Sequence, residues 1–236
     1  MKIYLKLFIL SIFLFIPTIA KANTSPVNIS FSETKYSNDY INVDIKIPIV
    51  SYSNKNVEKI INSALKNDIL SFKNQIETSA KEAFEESKKH SFEFIPYEAI
   101  VNYDVTFKNS KLLSIPVTFY TYTGGAHGNT IKQPYNFDLS TGIKINLNNI
   151  FKEGFDYKPL LKEYIKTSIE EDPDIFFDDA MSVIDKLDKN QSFYLTNYSL
   201  VIYYSLYEIA PYSSGIIEFK IPLAEIKTHL NSNYKI

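Results

Sequence analysis

Between Tyr40 and Ile49 apolar and polar positions alternate. Ile41, Val43, Ile45, Ile47 and Ile49 fall on one side, Asn42, Asp44 and Lys46 on the other, which is the two-residue period of a strand with one buried face. The run from Val27 to Tyr36 is also strand-like, and Ser37-Asn38-Asp39 between the two is a turn, so the stretch predicts a half-buried antiparallel hairpin. Pro48 brings no backbone donor and marks the hairpin's end or an edge position.

From Asn54 to about Lys88 the period changes to three and four. Val57, Ile60, Ile61, Ala64, Leu65, Ile69, Phe72, Ile76, Ala80, Ala83 and Phe84 make one stripe of a long amphipathic helix. Asn54 or Asn56 can cap it, Glu58 suits its positive end, and Lys88-Lys89-His90 suit its negative end. The stripe is not a strict heptad, which favours a core-facing helix over a coiled coil.

Strand signals return at Ile95–Phe107 and, after the turn Lys108–Lys111, at Leu112–Thr123. A third strand, about Thr130–Leu139, makes Gly124–Asn129 a hairpin loop, and Ser140-Thr141-Gly142 turns into Ile143–Leu147. These strands predict an antiparallel meander. Helical patterns follow at 148–151, at Tyr157–Glu170 and from Pro173 through Leu187; strands at Phe193–Thr196, Leu200–Tyr207 and Ile216–Ile221, and a short helix at Leu223–Leu230, close the chain. The expected class is α+β: antiparallel sheets packed against a long amphipathic helix, with a second, smaller α+β unit. The expected organisation is a signal peptide over 1–22, an N-terminal α+β domain over 23–142 and a C-terminal one over 143–236.

The signal peptide rests on Lys2 and Lys6, the apolar run Leu7–Ile16 and the small residues around Ala20-Lys21-Ala22. Cleavage after Ala22 is expected, with retention as an anchor the alternative. No later stretch is apolar enough to span a membrane, so the expectation is a periplasmic or secreted protein of the cell envelope. With no cysteine in the chain, disulfides, thiolate metal sites, thiol nucleophiles and lipobox anchoring are excluded.

Charge narrows the partners. The formal net charge is −2, and losing Lys2, Lys6 and Lys21 leaves 22 lysines against 27 acids, or −5. A mildly acidic chain without arginine is a poor match for nucleic acid and a better one for a basic protein. The 18 tyrosines and 17 phenylalanines, with no tryptophan, imply many phenols at half-exposed positions.

Catalytic motifs are missing: there is no Gly-x-Ser-x-Gly, His-Glu-x-x-His, Gly-x-x-x-x-Gly-Lys or helix-opening Gly-x-Gly-x-x-Gly. His90, His127 and His229 are too dispersed for a metal site, and neither metal nor cofactor is expected. A carboxylate-based hydrolase remains the enzymatic alternative, though no pair among the acids is singled out. The candidate site is instead the stretch Phe119–Asn129, with three of the six glycines. Gly124, Gly125 and Gly128 permit positive φ or close approach, His127 offers a donor and an acceptor, and Tyr120 and Tyr122 share a strand face. A tight hairpin by itself would also explain the glycines. Tyr207 and Tyr212 lie in a second loop, 207–215, of similar composition; together the two loops would form a tyrosine, glycine and serine surface of the kind recognition sites favour.

Three motifs carry a family resemblance: Tyr120-Thr121-Tyr122-Thr123-Gly124-Gly125-Ala126-His127-Gly128, Asn136-Phe137-Asp138-Leu139-Ser140-Thr141-Gly142 and Leu147-Asn148-Asn149-Ile150-Phe151. They resemble the extracytoplasmic domains of lysozyme-sensing anti-sigma factors of the RsiV type, and similar paired domains of unknown function occur beside peptidoglycan deacetylases. The stretches 193–196, 200–203 and 207–215 resemble the second domain of that pair. The resemblance implies an α+β fold and, as in the sensing members, binding of lysozyme outside the membrane. The chain shows neither an internal transmembrane helix with an anti-sigma segment nor a deacetylase domain, so neither signalling nor deacetylation is carried over. The expected function is an exported, non-catalytic binding protein for lysozyme or another basic extracellular protein; the alternative is a module that binds glycan or peptidoglycan.

Overall fold

The computed structural model describes residues 27–234 and 236; the expected signal peptide, residues 1–22, lies outside the described residues. Strands β1 (Asn28–Ser37) and β2 (Ile41–Ser51) form the expected hairpin. Asn38 closes its turn, Oδ1 accepting from the N–H groups of Tyr40 and Ile41 at 3.0 Å each, the local mimicry that makes asparagine a turn residue. The alternation of β2 holds from Ile41 to Ile47 and then slips by one, so that Val50 is buried and Ile49 exposed. Asn62 from the next helix accounts for the slip. Its side chain accepts from Val50 N–H and donates to Val50 C=O, both at 2.8 Å, holding Val50 against the helix.

Helix α1 (Lys55–His90) runs 36 residues, about 54 Å at 1.5 Å per residue. Asn54 is its cap, Oδ1 accepting from Asn56 and Val57 N–H, and Ser91 ends it in the left-handed region at φ 54°. Val57, Ile61, Leu65 and Ile69, spaced by four, are its fully buried stripe, lying on the first sheet. That sheet continues with β3 (Tyr97–Tyr103), β4 (Phe107–Lys108), β5 (Leu112–Tyr122) and β6 (Asn129–Asp138). β3 pairs with β2 in parallel, Ile41 opposite Tyr97 and Ile45 opposite Val101. This corrects the expected all-antiparallel meander: α1 is the long crossover that a parallel pair requires. The other pairings are antiparallel, with β3 and β4 along one edge of β5 and β6 along the other. The strand expected to run unbroken to Phe107 is split. Between the pairs Tyr103–Val117 and Phe107–Ser114 one side advances four residues and the other three, an extra residue of the bulge type.

The second half holds α2 (Leu147–Ile150), α3 (Lys158–Glu171), α4 (Ala180–Ile184), the antiparallel sheet β7 (Phe193–Leu195), β8 (Ser199–Tyr204) and β9 (Ile217–Pro222), and α5 (Leu223–Ile226). The expected strand at 143–147 reduces to one bridge between Lys144 and Phe137, since Leu147 already begins α2. The helix expected from Pro173 to Leu187 is broken: a 3₁₀ turn at Pro173–Ile175 gives way to an extended Phe176 before α4. Phe176 stacks on Phe219 of β9 at 6.3 Å, and Phe177 N–H donates to Ile209 C=O at 3.0 Å. Tertiary contacts override the helical period there. The architecture is α+β, as the pattern predicts, with antiparallel pairing dominant, one sheet on the long helix and a smaller second sheet.

One hydrophobic cluster fills the space between α1 and the first sheet, and another joins the second sheet to α2, α3, α4 and α5, with Phe107 and Leu112 of the first sheet included in it. Where the sheets meet the contact is polar. Ser114 of β5 and Asn136 of β6 are 0% and 3% exposed. Ser114 Oγ donates to Asn136 Oδ1 at 2.6 Å and accepts from Leu195 N–H at 3.1 Å, while Asn136 Nδ2 donates to Phe193 C=O at 2.8 Å. Each group in this chain is satisfied by another, which is the condition for burying it.

Two outcomes test this picture. Asn136→Ala orphans Phe193 C=O and Ser114, and should cost about 2–3 kcal/mol in urea unfolding. In an alkaline titration followed at 295 nm, Tyr135, Tyr194, Tyr203 and Tyr204 should stay silent until the fold opens. Burial is the first cause raising the phenol of each above the usual range, with Asp68 adding to it at Tyr135, Glu218 at Tyr194 and Tyr203, and Glu208 at Tyr204. The stability they contribute is complete below the unfolded tyrosine value of about 10 and is lost as pH rises beyond it, so their ionisation should coincide with loss of the circular dichroism signal.

Candidate functional site

The turn between β5 and β6 depends on its glycines in two different ways. Gly124 and Gly125 sit at φ 91° and 98° with open space where a Cβ would be, so what they supply is the backbone conformation. Gly128 has ordinary φ but no room: a Cβ there would lie 2.4 Å from the Tyr120 ring. Tyr122 Oη donates to Gly125 C=O at 3.0 Å, tying the turn back to its own strand.

The 205–216 connection from β8 to β9 brings the second set of aromatics. Tyr207 adopts φ 63°, the left-handed region that a tyrosine enters only at a cost of about 1–2 kcal/mol, and is 57% exposed. Tyr212 begins a 3₁₀ turn that ends at Gly215, φ 73°.

These two loops meet. The rings of His127 and Tyr212 stack with centroids 3.9 Å apart and planes 21° from parallel. Tyr212 Oη donates to Gly128 C=O at 3.0 Å, and Tyr207 lies 5.7 Å from Tyr212 by ring centroid. His127 Nδ1 is 2.9 Å from Gly128 C=O; a carbonyl only accepts, so Nδ1 carries the proton. Nε2 is then the acceptor facing Tyr207 Oη at 3.4 Å. Tyr120, packed on Gly128, has its phenol raised by burial first and by Glu98 next. Of the sequence candidates, Tyr120, His127, Gly128, Tyr207 and Tyr212 are thus brought together. Tyr122 and Gly125 bond to each other on the flank. Gly124 borders a separate groove with Phe92 and Ile95.

Beneath the loops lies a pair that the sequence reading passed over. Lys132 of β6 forms an ion pair with Glu218 of β9, both half-buried. Tyr194 and Tyr203 flank the ammonium at 5.5 and 5.8 Å. Tyr194 Oη donates to Glu218 at 3.0 Å and Tyr203 Oη to Lys132 C=O at 2.8 Å. Lys132 follows Gly128 by four residues and Glu218 follows Gly215 by three, so the pair fixes one loop against the other. Single charges in alternating strands carry no signal that they will be paired. Phe92 and Ile95 did carry one, as apolar residues directly after the helix and out of its period. Chemically the patch offers rings, hydroxyls and carbonyls. Among the described residues no carboxylate hydrogen-bonds His127, and no cluster of three His, Cys, Asp or Glu is placed to hold a metal.

Residues 34–130 match the family model described as deacetylase PdaC, and residues 148–224 match the model described as a protein of unknown function, DUF3298. The anti-sigma-V factor RsiV of Bacillus subtilis is 29% identical over 211 residues, covering 86% of this chain and 70% of that one. The peptidoglycan-N-acetylmuramic acid deacetylase PdaC of the same organism is 27% identical over 140 residues, 58% of this chain but only 30% of that one. Among solved structures, a DUF3298 member from Bacteroides fragilis superposes with TM-score 0.67 at 21% identity, over 89% of this chain and 96% of that one. One from Pseudomonas aeruginosa gives 0.58 at 17%, over 89% and 97%; at these identities the likeness shows the fold. The two stretches of the chain thus match one model each, and the chain is similar to envelope-associated proteins. No helix among the described residues is long and apolar enough to cross a membrane.

The contact between Tyr120 and Gly128 is open to a direct test. Gly128→Ala should displace the ring and lower stability by about 1–3 kcal/mol in thermal unfolding, the range for overpacking. A paired Tyr120→Ala change should recover part of that loss, because the clashing atoms belong to Tyr120.

Proposed function

We propose that this chain, a relative of RsiV and of PdaC, is an exported, non-catalytic protein of the cell envelope that binds a basic extracellular protein, lysozyme first among the candidates. The contact surface is the joined pair of loops carrying Tyr120, Tyr122, Gly124, Gly125, His127, Gly128, Tyr207 and Tyr212. The His127–Tyr212 stack carries the reading: it makes one aromatic surface from two loops 85 residues apart in sequence. Tyr207, exposed and held in a strained conformation, adds support, since such strain persists where a site requires it. The acidity expected of the processed chain suits a basic partner by steering its approach. Lysozyme itself comes from the resemblance to the sensing family. Rings, carbonyls and hydroxyls supply recognition, and His127 has its two nitrogens engaged by Gly128 and Tyr207 rather than by a catalytic carboxylate.

A second reading, binding of peptidoglycan glycan by stacked tyrosines, has the exposed rings of Tyr207 and, on the β7–β8 turn, of Tyr198 in its favour; the latter is 82% exposed.

Titration calorimetry with lysozyme should show saturable binding that weakens about 10- to 100-fold in Tyr212→Ala and His127→Ala, the range for central aromatic contacts, with circular dichroism confirming that both variants fold. Absence of heat at high micromolar concentration rejects the protein-partner reading. Retention on insoluble peptidoglycan with no protein present would select the glycan reading instead.

A further inference from the structure

Where α1 ends, the chain must leave the helix and reach β3 within a few residues. Ser91 turns it in the left-handed region, Phe92 N–H closes the end on Ser87 C=O at 3.2 Å, and Pro96 forbids renewed helix. The connecting segment folds back over the last turns of α1. Phe94 is held between Phe84 and Tyr97, with centroids 5.4 and 5.5 Å away. This placement uses Phe94 for packing and leaves Phe92 and Ile95 each 54% exposed. Between them and the Thr123-Gly124 corner of the β5–β6 turn lies an open groove of about 380 Å³.

The groove's charge has one sign. Its lining includes Glu86 and Glu93 and no lysine. Glu86 is occupied by Lys89 at 3.0 Å and His90 at 2.8 Å. Lys88, the remaining base nearby, faces Glu85 and the Phe84 ring. Glu93 is exposed and has no hydrogen bond or ion pair among the described residues. An apolar floor beside an uncommitted carboxylate suits an apolar side chain with a lysine or arginine next to it. The groove also adjoins the proposed contact surface, because Gly124 belongs to both.

We infer that this groove is a second anchor for the same basic partner, receiving one of its apolar side chains while a neighbouring cation meets Glu93. The inference rests on the proposed function and extends its surface along the other side of the Gly124–Gly125 turn. The Cβ positions of both glycines are open, so no neighbouring side chain packs on the turn at those two points.

The test uses the full exported chain, with lysozyme as the probe in titration calorimetry. Glu93→Lys changes only an exposed charge and should weaken binding about 10-fold, with a shallower dependence on salt. The double variant Phe92→Ser, Ile95→Ser should weaken it to a similar degree, with thermal unfolding unchanged. If both bind like the parent while His127→Ala loses affinity, the patch is the whole surface and the groove proposal falls. If the parent gives no heat with lysozyme, the functional reading falls and this anchor with it. If the parent self-associates in sedimentation and the double variant does not, the groove belongs to a second copy of the chain and the inference is overturned.

Discussion

Ser114, Asn136 and the backbone of β7 form a hydrogen-bonded chain from which no member can be removed without leaving another unpaired away from water. An orphaned buried group costs more than a formed bond yields, so the two sheets are held to one mutual position more by that penalty than by the strength of the bonds. The patch depends on it. β5 and β6 carry the glycine turn, β8 and β9 carry the tyrosine loop, and β7 lies between the two pairs. The Lys132–Glu218 pair, closed in by Tyr194 and Tyr203, adds a second fixed point nearer the loops. Together they explain how flexible residue types can present rings in a defined stack.

One loop is strained and the other closely packed. Tyr207 occupies a backbone region in which glycine would be easier, and Gly128 is pressed against a ring that admits no larger residue. Their combined effect is to bring His127 and Tyr212 within stacking distance and to leave Tyr207 outward. The glycines therefore have separate tasks, conformation at 124 and 125 and proximity at 128, which a count of glycines cannot distinguish.

Much of the fold was legible because it is written in local periods. The β1–β2 hairpin, α1 with its Asn54 cap, α3, the strands on either side of the glycine turn and the small second sheet all follow from alternation, helical spacing and turn residues. The failures share a cause. Parallel pairing of β3 with β2, the break at Phe176 and the slip at Val50 are set by contacts between elements, which a periodic pattern does not record: the crossover of α1, the ring of Phe219 and the side chain of Asn62. The family motifs become readable in the same terms. Asn136 is the bridge between sheets, Asp138 accepts from Ser140 to close a turn, and Gly142, at φ 78°, sits where a Cβ would come within 3.2 Å of Ile60 on α1. As for the patch, its residues could be named from sequence, whereas their meeting could not, because it is decided by the polar junction.

The stack of His127 on Tyr212 joins parts of the molecule that belong to different sheets, so recognition at the patch, as proposed, would be tied to cohesion. A ligand lying across both loops binds only the arrangement in which the sheets are docked. By mass action its binding energy is then added to the junction, in proportion to the logarithm of its concentration relative to its dissociation constant. Occupancy would therefore protect the hydrogen-bonded chain at Ser114 and Asn136, well away from the bound molecule, from hydrogen exchange and proteolysis. If the patch binds a partner as proposed, it would act as a clasp: the bound partner would close the protein on itself as well as on the ligand.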